Sequence, residues 1–224
     1  MDADDKTPPV TAAEWFAGGQ RIWYSPTPAR VLSERDAAED PNALQVFERV
    51  HSPAQGEDAV WLTMLPGFPD GSYGWAQVDR LLSDDLSPRL YVEPVGQGDS
   101  DKPKGYKYST LERADLIEAL WKHHGVHRTA VVTFDYTSLG LLELLQRQVE
   151  RNASPDSSAT TISAVFMMNG GLFYDAHSHP WQSTPLLRSP LGALGVRGGA
   201  TLARGIRPRM DAGTHLLPRL PPDR

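Results

Sequence analysis

A chain of 224 residues, 40% hydrophobic and 22% charged, is long enough for one soluble domain with a real core. Its formal charge of -6 and pI near 5.6, with no basic stripe before the last stretch, argue against nucleic acid as a partner. The absence of cysteine excludes disulfides, thiolate nucleophiles and zinc ribbons, and the longest apolar runs, Ala59 to Phe68 and Ala164 to Met168, are too short to span a bilayer.

The start, Met1 to Pro9, carries Asp2, Asp4, Asp5 and two prolines, the opposite of a basic secretory leader, so a cytoplasmic location is expected. Residues 1–13 are expected to be disordered. Gly19 to Tyr24 and Leu44 to His51 alternate apolar and polar residues and predict an antiparallel start to a sheet. Ala59 to Leu65 is an almost unbroken apolar run ended by Pro66 and Gly67, as in a central strand covered on both faces. Ser72 to Leu82 has near-helical spacing with Ser72 as a cap, and Arg89 to Glu93 is the next strand. Thr110 to His124 is an amphipathic helix closed by Gly125. A third unit pairs a strand at Thr129 to Phe134 with a helix at Ser138 to Arg151. Asn152 to Thr161 is a polar loop, and Ile162 to Met168 is a further buried strand.

This alternation predicts an α/β fold, a doubly wound and mostly parallel sheet, over residues 14–197. Residues 198–224, rich in Arg, Gly and Pro, form an aperiodic tail expected to be disordered.

In open α/β sheets, sites form beyond the carboxyl ends of the strands. Three junctions qualify: Pro66 to Pro69, Pro94 to Pro103, and Thr133 to Thr137 with Asp135 at its centre. A carboxylate on a tight strand-to-helix turn is held above the sheet near the positive end of the helix, where it is ionised and can attack carbon. The plainer alternative is that Asp135 only caps the following helix. Ser138 is a weaker nucleophile, because Tyr136 fills a position that needs a small residue. Asp99, Ser100 and Asp101 form a capped turn rather than a metal loop, and Gly96 with Gly98 lacks the third glycine of a dinucleotide fingerprint. No cofactor and no metal is implied. The histidines His123, His124, His127, His177, His179 and His215 are read as surface or loop residues.

Gly67-Phe68-Pro69, Gly96 to Pro103 and Asp135-Tyr136, in this order on these strands, resemble the α/β-hydrolases of the epoxide hydrolase and haloalkane dehalogenase type. Asn169 to Phe173, with His177 shortly after, resembles the segment after the sixth strand in their mesoderm-specific transcript-like branch. The resemblance runs from about Trp15 to about Gly195. It implies Asp135 as the nucleophile and the backbone N–H groups of Phe68 and Tyr136 as the oxyanion hole. It also implies hydrolysis of a small electrophilic substrate, an epoxide or an alkyl halide, through an alkyl-enzyme ester. Tyr136 favours the epoxide, since dehalogenases usually carry a tryptophan there. This sequence departs from the family pattern at Pro66 and Phe134, which replace histidines, and at Thr133 and Thr137, which replace small residues. Thr137 is expected to crowd the turn.

The family normally continues through a helical cap and two strands carrying the triad acid and histidine, so the resemblance implies a fold incomplete at its C-terminal side. A noncatalytic remnant or binding module is the alternative reading. With the last strands lost, Ile162 to Met168 would be an exposed apolar edge, and self-association through it is expected.

Overall fold

The computed structural model describes residues 9–51, 59–82, 88–152 and 159–170. Helix α1 (Ala12–Ala17) opens the fold, held by a capping box in which the Thr11 hydroxyl accepts from the Glu14 N–H and the Glu14 carboxylate accepts from the Thr11 N–H. The boundary expected after residue 13 therefore falls inside a helix. Strands β1 (Gln20–Pro26) and β2 (Ala29–Leu32) form a hairpin, followed by α2 (Glu34–Glu39) and β3 (Leu44–His51). Strand β4 (Val60–Leu65) leads to a 3₁₀ turn at Ser72–Trp75, which continues into α3 (Ala76–Leu81). The chain then runs through β5 (Arg89–Val92), α4 (Thr110–His123), β6 (Arg128–Phe134), α5 (Thr137–Asn152) and β7 (Thr161–Met168).

Among the described residues the strands form one seven-stranded sheet in the order β2-β1-β3-β5-β4-β6-β7. Strands β5, β4, β6 and β7 are mutually parallel, and β1 to β3 add the antiparallel side. The expected α/β class and mostly parallel sheet hold.

Because strand side chains alternate, β4 sends Trp61 and Leu65 into a core with α4 and α5, where Leu116, Ile117, Leu120, Trp121, Leu141 and Leu144 are buried. Met64 enters a second cluster on the other face with Trp15, Ala76 and Tyr91. The covered faces explain why β4 and β5 are apolar without alternation. The threonines inside this core are paired: the Trp121 indole N–H donates to Thr63 Oγ1 at 2.9 Å, and Thr63 Oγ1 lies 2.9 Å from Thr129 Oγ1.

Strand β7 corrects an expectation. Among the described residues it is paired by β6 on one side and lies at the end of the sheet order, with Phe166 60% exposed, the place of an edge strand and not of a fully covered one. An apolar run such as Ile162 to Met168 has the same appearance in either place, since periodicity is lost in both. Residues 171 to 224, and with them the expected cap and tail and the boundary at 197, lie outside the described residues. Among those described, no helix is long and apolar enough to cross a membrane.

Candidate active site

The three junctions picked from the sequence meet at the carboxyl ends of β4, β5 and β6. Between β6 and α5, Asp135 has φ of 55°, the left-handed conformation that a side chain other than glycine adopts only when its surroundings enforce it. Several bonds do so. The Asp135 N–H donates to the Met168 carbonyl at 2.9 Å, and the Ser138 N–H donates back to the Asp135 carbonyl at 3.1 Å. Thr137 is accommodated, contrary to the crowding expected of it. It is buried, and its hydroxyl donates to the Phe134 carbonyl at 3.0 Å, so the β-branched side chain closes the turn. Thr133 Oγ1 and Ser138 Oγ lie 2.9 Å apart in the interior, which leaves Ser138 fully buried and unfit as a nucleophile.

The turn after β4 approaches closely. The Phe68 N–H donates to Asp135 Oδ2 at 3.1 Å. Gly67 makes this possible, because a Cβ there would lie 2.5 Å from the Phe134 ring and 3.0 Å from Asp135 Cβ. Pro66, which replaces the usual histidine, is buried at the end of this strand. The rings of Phe68 and Tyr136 flank the carboxylate's rim, both exposed and with centroids 6.5 Å apart.

The third junction is a rigid loop built on Glu93, a fully buried carboxylate. Its Oε1 accepts from the Ser72 N–H at 2.6 Å and the Ser72 hydroxyl at 2.7 Å, and its Oε2 accepts from the Asp99 N–H. Gly98, at φ of 49°, passes so close that a Cβ would overlap the Glu93 carboxylate. Ser100 and Asp101 tie the same loop to β3, through the Phe47 N–H to Ser100 Oγ and the Gln45 N–H to Asp101 Oδ2, each at 2.8 Å. The acidic turn is thus structural, as its residues suggested. Gln97 points the other way, donating to the Gly67 carbonyl at 3.3 Å and joining the glycine-rich loop to the turn beside Asp135.

Two pockets flank Asp135. One, of about 270 Å³, is lined by Pro66, Gly67, Trp75, Phe134 and Met168 among others. The other, of about 430 Å³, is lined by Phe68, Gln97, Lys102, Tyr108, Arg113 and Tyr136. Arg113 was missed in the sequence. Its position was legible, since it precedes Ile117 and Leu120 by one and two helical turns on the buried side of α4. Its guanidinium carbon stands 4.6 Å above the centre of the Tyr136 ring, and burial pushes the guanidinium below its ordinary pKa.

The sequence-predicted residues Phe68, Asp135 and Tyr136 are therefore brought together. The histidines within the described residues are elsewhere: His124 Nε2 is 2.8 Å from the buried Glu48 Oε2, with His123 stacked edgewise on it. Glu48, His123 and His124 are close enough to share a metal ion. His177, His179 and His215 lie outside the described residues.

The chain is similar to the mesoderm-specific transcript homolog protein of Homo sapiens, 32% identical over 118 residues, or 52% of this chain and 34% of that protein. It is also similar to “Putative hydrolase LipZ” of Mycobacterium tuberculosis, 30% identical over 155 residues, or 66% of this chain and 50% of that one. The matched part thus spans a third to a half of these curated relatives. Among solved structures, the haloalkane dehalogenase DatA from Agrobacterium tumefaciens superposes with a TM-score of 0.58 at 19% identity, covering 91% of this chain and 60% of that one. The haloalkane dehalogenase DbeA from Bradyrhizobium elkani superposes with a TM-score of 0.51 at 20% identity, covering 66% of this chain and 47% of that one. No protein-family model matches the chain.

Proposed function

Because the chain belongs to the α/β-hydrolase superfamily, we propose that Asp135 is the nucleophile of a hydrolytic site for a small electrophilic substrate, an epoxide in preference to an alkyl halide. The observation that carries this reading is the contact between the Phe68 N–H and Asp135 Oδ2. A nucleophilic carboxylate has two oxygens with different fates. The one that attacks carbon becomes the ester oxygen. The other becomes the ester carbonyl, and it takes up negative charge when water adds. A backbone N–H already directed at that second oxygen is placed to stabilise the charge that develops. Oδ2 is then the oxyanion oxygen, and Oδ1 is free to attack. The Tyr136 N–H, next in the chain, is the second donor of the same hole. A carboxylate serving only as a helix cap needs neither the glycine at position 67 nor a neighbouring turn reaching across to it.

Tyr136 supports the epoxide choice, since the site offers a phenol where the dehalogenase-type pattern has an indole N–H for a halide. The test is intact-mass spectrometry after incubation with styrene oxide. One adduct per chain is expected, located on Asp135 by peptide mapping and absent in Asp135→Asn. An adduct that forms equally well in the variant rejects the assignment.

A further inference from the structure

The 430 Å³ pocket beside Asp135 has a charge at odds with the rest of the molecule. The chain as a whole is acidic, yet Lys102 and Arg113 line this pocket and no carboxylate does so among its lining residues. Lys102 is fixed by its own loop, its ammonium donating to the carbonyls of Gly98 at 2.6 Å and Ser100 at 2.9 Å. Arg113 is different. It is 7% exposed, and its Nη1 is buried without a hydrogen-bond partner among the described residues. Buried guanidinium groups are normally paired, because leaving a charged donor unsatisfied is costly. No ion pair joins Arg113 to Asp135 or Glu112 among the described residues. What holds the group is the face of Tyr136. A guanidinium held over a ring face by cation–π attraction keeps its N–H donors available to a carboxylate.

We propose that Arg113, stacked on Tyr136, binds a carboxylate of the substrate in this pocket, so that the Asp135 site selects electrophiles bearing a carboxylate. The proposal rests on the nucleophile reading for the reaction, but not for the binding. A carboxylate substrate would otherwise be repelled by Asp135, and two cations on the pocket wall offset that single negative charge. With a carboxylated epoxide, Asp135 Oδ1 forms a bond to a ring carbon, the ring C–O bond breaks, and the ring oxygen leaves as an alkoxide that takes a proton from water.

The test uses glycidate and its neutral match glycidamide on the full chain, with each labelling rate divided by that reagent's rate with free acetate. Glycidate is expected to label Asp135 roughly tenfold or more faster, the scale of a charge-assisted hydrogen bond. The advantage should vanish in Arg113→Gln and be only partly recovered in Arg113→Lys, which keeps the charge but not the planar donors. Equal corrected rates in the wild type, which need no variant, overturn the proposal. If neither epoxide labels Asp135, the nucleophile reading fails and the anion site is judged separately with glycerate. Glycerate should then raise the melting temperature of the wild type and of Asp135→Asn, while neutral glyceramide should not. No shift with glycerate, or the same shift with both, rejects the anion site.

Discussion

Glu112 sits in the first turn of α4, where a helix favours a carboxylate, yet its pKa is raised to about 7. Burial is the main cause, and Asp115 adds to it. Arg113 and a hydrogen bond from Tyr106 oppose it. The native state therefore holds the proton more tightly than the unfolded chain, whose glutamate titrates near 4.5. Stability from this group is complete below the unfolded value and is lost as pH rises through about 7. Glu112→Gln cannot titrate, so it should gain on the wild type between pH 5 and pH 8 in urea unfolding. Curves that stay parallel across that window would remove Glu112 from the account. Its neighbour Arg113 illustrates what sequence reading can overlook. Asp135 was legible because it stands just after a buried strand and matches the family's elbow, whereas an arginine on the apolar side of α4 matches no motif. The partners that give Arg113 its meaning, Tyr136 on α5 and the loop beyond β5, are brought to it only by the fold.

At the scale of elements, those with a full periodic face were legible and the short ones were not. Helices α4 and α5 bury leucines at helical spacing, and the interface between them is closed by Arg147, which pairs with Asp115 and Glu118 on α4 and with Glu143 on its own helix. Helix α2 buries only Ala37, and β2 has four residues, so neither writes enough apolar periodicity to be seen. Helix α1 depends on tertiary contact: Trp15 is buried and donates from its indole N–H to Ser72 Oγ at 2.9 Å, a bond between residues far apart in sequence. Strand β7 was legible as a strand, and at the end of the described sheet order its exposed Phe166 and Met168 carry a consequence. An apolar strand with one paired side is a template for a second chain. We expect concentration-dependent association at tens of micromolar, the range in which exposed strands pair. Phe166→Lys should reduce it while changing stability by no more than about 0.5 kcal/mol, as for other exposed positions. A monodisperse monomer of the wild type in sedimentation velocity would refute this.

Over the whole described fold, the two chemical steps of an aspartate-nucleophile hydrolase are unequally provided for. The attack needs a positioned carboxylate and a pocket, and both stand at the carboxyl ends of the parallel strands. The release of the ester needs a base that activates water. Each described histidine is placed away from that end. His51 pairs in register with Arg89, the first residue of β5, and His127 immediately precedes β6. His123 and His124 close the far end of α4, where His124 contacts Trp61 near the start of β4. None lines either pocket beside Asp135. Removing the base of such a machine elsewhere costs many orders of magnitude in turnover. On the described residues alone, the steps should therefore separate. Mixed with an epoxide, the chain should show a burst of one equivalent bound to Asp135, followed by slow release, with the adduct persisting in a chase with heavy-oxygen water. Rapid steady turnover that disappears in Asp135→Ala would mean that a base does reach the ester, and His177→Ala would then be the first variant to make. Turnover that survives Asp135→Ala would instead show that the carboxylate at the elbow is not the nucleophile.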